Sequence, residues 1–315
     1  MASGRFAPSP SGKLHLGNLR TALLAWLFAR SASSRFQVRI EDLDRDRSRP
    51  EHEQAQLGDL RAIGLDWDGP PVRQSDRTEL YRLALHELDD AGLVYPCWCT
   101  RAEIQAAAGA PHGPLPDGAY PGICRELSDA ERKHRHREAG RPPSMRLHAR
   151  ASAERAPSLR LDTHAAVIGF DDRLHGHVER EVDDFVLWRW DDTPAYNLAV
   201  VIDDGDQHIG EVVRGDDLLD STPRQLLLCQ LLNVPAPTHA HVPLVLGPDG
   251  ARLAKRHGAV TLDERVALGE TPADVVDWMA SSVGLCEPGE RPTPAQLIDR
   301  FDPAALPREP TVLPG

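Results

Sequence analysis

The sequence predicts an α/β fold built on a largely parallel, doubly wound sheet. Strand-like and helix-like segments alternate near the N-terminus and again from residue 181 onward, and this alternation is typical of βαβ units. In residues 35–40, Phe36, Val38 and Ile40 alternate with polar residues, which predicts a strand. That strand is followed by Glu41, at the kind of sheet edge where open α/β sheets bind their ligands.

The first predicted unit is a short strand at residues 4–8 that leads through a Pro-Ser-Pro-Ser-Gly loop into a helix. Asn18 is predicted to be the N-cap of this helix. The helix is predicted to run through about residue 30 with an apolar stripe of Leu19, Leu23, Leu24, Leu27 and Phe28.

Later segments continue the alternation. Asp76 and Glu79 resemble a capping box ahead of a second helix. The apolar run at residues 196–202 predicts a buried strand, and Thr222 is predicted to begin a Leu-rich helix. Strands that alternate with helices in this way favour a largely parallel, doubly wound sheet.

The chain is predicted to have four parts. Residues 1–94 and 181–262 form the two halves of the α/β domain. Residues 95–180, which are rich in Pro, Gly and His and hold a cysteine cluster, form an inserted subdomain between them. Residues 263–315 form a short helical C-terminal extension with a Pro-rich end.

Composition limits the possible locations of the protein. The chain is 41% hydrophobic and 27% charged, with a net charge of −12, and no run reaches the roughly 20 apolar residues that span a bilayer. The N-terminus lacks the apolar stretch of a secretory signal. We therefore expect a cytoplasmic protein with no membrane partner. A monomer is a separate expectation, which composition does not support. The basic run at residues 132–137 is interpreted as a solvated helix face, with a nucleic-acid-binding face as the alternative.

His15, Gly17 and Asn18 form a candidate nucleotide site at the mouth of the first helix. An imidazole can donate to phosphate oxygens, and a glycine lets the backbone approach a base or ribose closely. The helix N-terminus favours anions through its free N–H groups and its dipole. Lys255 adds a distant ammonium. An incidental histidine in a strand–turn–helix is the alternative.

Two signatures resemble those of the class I aminoacyl-tRNA synthetases of the glutamyl type. The first is Arg5-Phe-Ala-Pro-Ser-Pro-Ser-Gly-x-Leu-His-Leu-Gly, and the second is Arg252-Leu-Ala-Lys-Arg, usually written Lys-Met-Ser-Lys-Ser. The resemblance covers about residues 4–265 in order. It implies a ligase with a Rossmann-like catalytic domain, an inserted zinc-binding subdomain and a requirement for ATP with Mg²⁺.

The resemblance implies an ATP site at both signatures. His15 and Gly17, with Asn18 and Arg252, match ATP-binding positions. His15 and Lys255 match the catalytic positions, where the lysine stabilises charge on the phosphates as the adenylate forms. Arg252 replaces the family's first lysine and Ala254 its serine, so the cation is kept and a hydroxyl contact is lost.

The resemblance also implies a glutamate site. Glu41 matches the ligand of the α-ammonium, Arg214 and the first segment face the two carboxylates, and Tyr196 packs beside the substrate. Arginine suits this task because its guanidinium can pair bidentately with a carboxylate. Which arginine binds which carboxylate is left open, and a surface salt bridge from Arg214 to a neighbouring aspartate is the alternative. The first segment consists of Arg5, Phe6, Ala7, Pro8 and Ser9.

Three cysteines predict one structural zinc ion. Cys97, Cys99 and Cys124 have metal-like spacing, and structural zinc takes four ligands. The resemblance implies that Tyr120 supplies the fourth. His112 is the ordinary alternative, and water is a third; three reduced core cysteines without a metal also stay open.

The length of the chain after Lys255 suggests the acceptor. The sequence from there to residue 315 is too short for the helical anticodon-binding region of glutamyl-tRNA synthetases. A short chain with a full catalytic core resembles the glutamyl-queuosine tRNA(Asp) synthetases. That resemblance implies activation of L-glutamate without tRNA, followed by transfer to queuosine at the wobble position of tRNA(Asp).

Three alternatives stay open for the function. One is a truncated synthetase that charges the 3′ end of tRNA(Glu). Another is a non-catalytic tRNA-binding paralogue. The last is a structural zinc-binding interaction module, which would leave the nucleotide motifs without a role.

Overall fold

Alternating strands and helices build the protein. The structure, a computed structural model, describes residues 3–108, 120–156, 158, 160–161, 166–253 and 255–313. Within these residues the strands are β1 Ser3–Phe6, β2 Phe36–Ile40, β3 Val72–Arg73, β4 Val94–Cys97, β5 Ser144–Leu147, β6 Arg160–Leu161, β7 Ala166–Asp172, β8 Gly176–Val182, β9 Val186–Trp188, β10 Ile209–Gly215, β11 Thr238–Val242, β12 Val245–Leu246 and β13 Thr311–Val312.

Helices follow most of these strands. The α-helices of the described residues are α1 Leu16–Ser31, α2 Pro50–Ala62, α3 Thr78–Asp90, α4 Arg101–Ala108, α5 Asp129–Ala139, α6 Tyr196–Asp206, α7 Thr222–Leu231, α8 Leu262–Ala267, α9 Pro272–Ser281 and α10 Pro294–Leu297. None of them is long and apolar enough to cross a membrane. Short 3₁₀ helices lie at Gln74–Arg77, Arg150–Glu154, Asp216–Ser221, Lys255–His257, Ile298–Arg300 and Pro303–Ala305.

An eight-stranded sheet forms the centre of the described chain, in the order β3-β2-β1-β10-β11-β7-β6 with β8 also paired to β7. The pairs from β3 to β7 are parallel, while β6 and β8 run antiparallel to β7. The predicted α/β fold with a mostly parallel sheet is therefore confirmed. β1 pairs with β2 on one side and β10 on the other, so the chain switches direction there and a crevice opens at the strands' carboxyl ends.

Helix α1 is buried on nearly all sides. Leu19, Leu23 and Leu27 are fully buried, and a Cβ on Gly4 would lie 3.0 Å from the Cβ of Ala29, so the glycine allows the close packing of β1 on α1. The helix begins one turn earlier than predicted, because its N-cap is His15 and not Asn18.

Two other sequence predictions are wrong. Residues 196–202 belong to helix α6 and not to a strand; a short, continuous apolar run reads the same for a buried helix and a buried strand, so periodicity could not decide between them. The capping box at Asp76 and Glu79 does not form, because residues 74–77 turn as a 3₁₀ helix and α3 starts at Thr78 without a side-chain cap. The helix predicted at Thr222 is confirmed as α7.

A second sheet carries the cysteine cluster. Strands β4, β5 and β9 form an antiparallel sheet in the order β4-β5-β9, and Cys97 ends β4. After α9 and α10 the chain returns to the main body, where β13 pairs in parallel with β12. The four-part division of the chain stays a prediction.

Candidate functional site

The predicted ligand-binding residues meet in one cleft of about 630 Å³ at the carboxyl ends of β1 and β10. The structure brings together every predicted ATP and glutamate residue whose side chain it describes: Arg5, Phe6, Ala7, Pro8, Ser9, His15, Gly17, Asn18, Glu41, Tyr196, Arg214 and Arg252. Lys255 begins the 3₁₀ helix Lys255–His257, and its side chain, like residue Ala254, lies outside the described residues.

His15 is both the N-cap of α1 and part of the cleft wall. Its Nδ1 accepts the backbone N–H of Asn18 at 3.2 Å, and the Oδ1 of Asn18 accepts the backbone N–H of His15 at 3.2 Å. Burial lowers the pKa of His15, although the charge of Asp217 opposes this. The ring is therefore neutral, and because Nδ1 is an acceptor, Nε2 carries the proton that can be donated to a ligand.

Gly17 leaves room for the imidazole of His15 because it has no side chain. A Cβ at this position would lie 3.0 Å from the ring of His15 and 3.3 Å from the Cβ of Val245. The loop before it is fastened by Gln56, whose Nε2 donates to the carbonyls of Ser9 at 2.9 Å and Gly12 at 2.7 Å. No sequence pattern pointed to this glutamine, since both of its partners are more than 40 positions away.

A buried charge network lies behind Glu41. Arg39 donates to Asp204 at 2.7 Å and approaches Glu41 at 3.4 Å, and Arg5 also pairs with Asp204 at 3.4 Å. Burial raises the pKa of Glu41 above its ordinary value, because it outweighs the cations of Arg39 and Arg5. Burial also acts to raise the pKa of Asp204, but the charges of Arg39 and Arg5 outweigh it, so the pKa of Asp204 is lowered. Glu41 thus has less compensating positive charge than Asp204.

Arg214 is buried and held on three sides. Its Nε donates to Nε2 of His241 at 3.0 Å, its Nη1 to the hydroxyl of Tyr196 at 3.3 Å and its Nη2 to Oγ1 of Thr222 at 2.8 Å. Among the described residues Arg214 forms no ion pair with Asp216 or Asp217, so the surface-salt-bridge alternative is wrong. Asp217 instead lies 3.2 Å from Arg252.

Sequence reasoning missed the residues behind Arg214. His241 is fully buried, and its Nδ1 lies 2.6 Å from Oδ2 of Asp172, which is also buried. The only sequence signal was the pair of histidines on a strand next to an apolar run, at residues 239–242.

A second cleft of about 720 Å³ adjoins the first and shares Ser9, Glu41 and Tyr196 with it. Trp190 lies in this cleft and is 49% exposed, and the guanidinium of Arg141 lies 5.5 Å from its ring centroid. The arginines of the wall give it a basic character in a chain of net charge −12; they are Arg101, Arg141, Arg146 and Arg189.

Three thiols form a candidate metal centre. The Sγ atoms of Cys97, Cys99 and Cys124 lie within 4.8 Å of one another, which is compatible with thiolates around one ion. The hydroxyl of Tyr120 lies 3.3 Å from Sγ of Cys97 and 3.6 Å from that of Cys99. His112 lies outside the described residues. The three cysteines can therefore hold a metal ion, and the tyrosine oxygen lies close to two of their sulfur atoms.

The mostly parallel sheet, with a cleft at its carboxyl edge beside a helix-capping histidine, is the fold of a class I synthetase catalytic domain. The family described as "tRNA synthetases class I (E and Q), catalytic domain" matches residues 2–273, so the chain belongs to this family of ligases.

Relatives place the chain within that family. It is 57% identical to a Glutamyl-Q tRNA(Asp) synthetase of Nocardia farcinica over 99% of the chain and 93% of the relative. It is 49% identical to one of Symbiobacterium thermophilum over 100% and 97%. The chain groups with the glutamyl-Q tRNA(Asp) synthetases.

A solved structure is also similar. The glutamate tRNA ligase of Elizabethkingia meningosepticum, crystallised in complex with its amino acid, superposes with a TM-score of 0.79 at 28% identity. The match covers 99% of the chain and 66% of that ligase. The predicted class I fold therefore agrees with both sequence and structural relatives.

Proposed function

We propose that the protein activates L-glutamate with ATP in the absence of tRNA and then transfers glutamate to the queuosine base at the wobble position of tRNA(Asp). The observation that carries the proposal is the first cleft, where a helix-capping histidine and two buried arginines line one cavity with Glu41. The names of two relatives, which are 57% and 49% identical to this chain, support queuosine in tRNA(Asp) as the acceptor.

ATP is proposed to bind at the α1 end of the cleft. Nε2 of His15 would donate to phosphate oxygens, Gly17 and Asn18 would lie against the nucleoside, and the N-terminus of α1 would attract the anion. Arg252 and Lys255 would contact the phosphates from the opposite side. Mg²⁺ is proposed to accompany ATP and would neutralise phosphate charge; it needs no protein ligand in this proposal.

Glutamate is proposed to bind at the other end. The ammonium would pair with Glu41, a carboxylate whose pKa is raised by burial although the cations of Arg39 and Arg5 oppose this. Arg5 and Arg214 would face the two carboxylates, with the Tyr196 hydroxyl beside Arg214 and the backbone of residues 6–9 forming the floor.

The reaction is proposed to have two steps. A carboxylate oxygen of glutamate attacks the α-phosphorus of ATP, the bond to the β-phosphate oxygen breaks, and pyrophosphate leaves. A hydroxyl of the cyclopentene diol of queuosine then attacks the acyl carbon and AMP leaves, while the hydroxyl proton passes to solvent or phosphate. The protein acts mainly by positioning and by stabilising charge.

The second cleft is proposed to hold the acceptor nucleotide. It opens beside Glu41 and Tyr196, so a base placed there would reach the acyl carbon of a bound adenylate. Bases of unpaired loops stack on aromatic side chains, and Trp190 is exposed for this, with arginines nearby for phosphates. We expect Trp190→Ala to leave pyrophosphate exchange unchanged and to reduce transfer to tRNA about tenfold; Trp67→Ala, outside both clefts, is the control.

The cysteine cluster is proposed to hold one zinc ion through Cys97, Cys99, Cys124 and Tyr120. The ion would be structural and would tie the two cysteine-bearing loops together beside the second cleft. Metal analysis of Tyr120→Phe and His112→Ala tests the fourth ligand. We expect Tyr120→Phe to lower zinc affinity at least tenfold and His112→Ala to bind zinc normally; the reverse result would assign the histidine.

Glutamate-dependent exchange of pyrophosphate into ATP without tRNA tests the first step. Absence of exchange contradicts the proposal. Transfer of labelled glutamate to queuosine-containing tRNA(Asp), compared with queuosine-free tRNA(Asp) and with tRNA(Glu), tests the second. Equal transfer to queuosine-free tRNA, or charging of tRNA(Glu), would favour the truncated-synthetase alternative. A cytoplasmic location and a monomeric state complete the proposal, and light scattering of the purified protein tests the latter.

A further inference from the structure

Three neighbouring strands place Arg214, His241 and Asp172 in a row behind the glutamate end of the cleft. Arg214 on β10 and His241 on β11 are directly paired in the sheet, and Asp172 ends β7 next to β11. The register of the parallel strands therefore sets the spacing of the three side chains. The three residues are far apart in the sequence, and no single sequence motif contains them.

Hydrogen bonds around Asp172 fix it as a carboxylate. Its Oδ1 accepts the backbone N–H groups of Leu174 and His175, both at 3.0 Å, and its Oδ2 lies 2.6 Å from Nδ1 of His241. Burial opposes ionisation, but the hydrogen bonds from His241 and the backbone lower the pKa of Asp172 to about 2. A carboxylate only accepts, so Nδ1 of His241 must carry a hydrogen.

The other ring nitrogen of His241 must then accept. Nε of Arg214 always carries a hydrogen, and it points at Nε2 of His241 at 3.0 Å. The hydroxyl of Thr222 accepts Nη2 of Arg214 at 2.8 Å and lies 3.2 Å from the same nitrogen of His241. Burial lowers the pKa of His241, which agrees with a neutral ring.

Within the described residues these contacts leave one N–H group of the guanidinium for the cleft, since Nη2 also lies 3.4 Å from the carbonyl oxygen of Leu218 and from Oγ of Ser221. Nε and Nη2 are bound to His241 and Thr222, and one hydrogen of Nη1 is bound to Tyr196. Within the described residues no contact uses the second hydrogen of Nη1. The hydrogen bonds to His241, Thr222 and Tyr196 therefore fix the orientation of the guanidinium plane.

We propose that Asp172 and His241 are positioning residues that orient Arg214 toward a carboxylate of glutamate by holding the imidazole in its Nδ1–H form. The proposal rests on the proposed function, since it names glutamate as the ligand. Neither residue touches the substrate; both act through Arg214.

Asp172→Asn is the sharpest test. The amide oxygen can keep the two backbone hydrogen bonds of Oδ1, which places the amide N–H₂ against Nδ1 of His241. An amide in that place favours the other tautomer, so an Nε2–H group would face the Nε–H of Arg214. We expect the KM for glutamate to rise roughly tenfold or more, as for loss of a charge-assisted hydrogen bond, with little change in the KM for ATP.

His241 variants add a rescue series. Gln can present its amide oxygen to Arg214, whereas Ala cannot, so His241→Gln should restore most of the glutamate KM lost in His241→Ala. His239→Gln is the matched control, because His239 is buried on the same strand and stacks on His241 at 5.9 Å but has no hydrogen bond to Arg214 among the described contacts. It should change the glutamate KM less than twofold.

Nitrogen-15 spectra of labelled histidines read the tautomer without any activity. The wild-type protein should show His241 protonated at Nδ1, and Asp172→Asn should move the proton to Nε2. A wild-type ring protonated at Nε2, an unchanged glutamate KM in Asp172→Asn, or equal rises in the KM for ATP and glutamate would each overturn the positioning role. Absence of glutamate-dependent exchange in the wild-type protein would instead overturn the proposed function and, with it, the ligand named here.

Discussion

The two ends of the first cleft are built in different ways. The proposed ATP end comes mainly from two short signatures: His15, Gly17 and Asn18 cap and start helix α1, and Arg252 lies in the second signature. The proposed glutamate end is assembled from distant strands and a helix, with Arg214 held by His241 and Tyr196. A site made from consecutive residues can be recognised as a motif, whereas a site made across a sheet depends on the fold.

Loss of the ammonium at Lys255 should have the largest effect and should fall on the ATP end. We expect Lys255→Ala to reduce glutamate-dependent pyrophosphate exchange by a factor of about 10² to 10³, since a positioned charge at the phosphates is lost, with no comparable change in the free energy of unfolding. Arg256→Ala, which removes an exposed cation paired with Asp249, is the control. A loss in kcat below tenfold would contradict the role of Lys255.

His15 allows stability and catalysis to be separated. His15→Ala removes the N-cap and the phosphate donor together, so we expect about 1 kcal/mol less free energy of unfolding and a loss in exchange of about 10². His15→Asn should restore the cap, because asparagine is a favoured N-cap residue, but not the exchange rate. Urea unfolding and exchange kinetics on both variants measure this, and recovery of exchange in His15→Asn would show that capping alone matters.

The fold was predictable from sequence where the signal was local. The strand at residues 36–40 follows from alternation, and helix α7 follows from the Leu-rich run after Thr222. Helix α6 was predicted as a strand, because a short continuous run of apolar residues shows neither the helical nor the strand periodicity.

The candidate site shows the same contrast between residues that a local sequence signal predicts and residues that only the fold brings together. The predicted ligand-binding residues came from the resemblance over residues 4–265, but the residues that support them did not, because Arg39 and Asp204 are 165 positions apart and His241 and Asp172 are 69 apart. Only the strand order brings such residues together. The second cleft was missed for the same reason, since its arginines come from separate elements.

Glu41 should make the glutamate end sensitive to pH. Only its carboxylate form pairs with an ammonium, and burial raises its pKa, so the pairing is present above that pKa and is lost as the pH falls through it. We expect the KM for glutamate to rise on acidification at a higher pH than the ordinary glutamate value of about 4.3, while the KM for ATP stays flat over the same range.

Glu41→Gln provides the comparison for that profile. The variant should bind glutamate roughly tenfold more weakly, and its glutamate KM should lack the acidic rise. An acidic rise that persists in Glu41→Gln would assign the titration to another group, such as the substrate's own carboxylates.

The Arg252–Asp217 pair should have the smallest effect, although it joins the two ends. Arg252 lies in the second signature and Asp217 follows the strand of Arg214, with 3.2 Å between their charged atoms. The arginine is 72% exposed, and exposed pairs contribute less than about 1 kcal/mol. We expect Arg252→Lys, which restores the residue of the family's signature, to change the KM for ATP less than threefold, and Arg252→Ala to raise it up to about fivefold. The glutamate KM should be unchanged in both. If Arg252→Ala raised the glutamate KM more than the ATP KM, the ion pair would couple the two ends, and the cleft would work as one unit instead of two separately built halves.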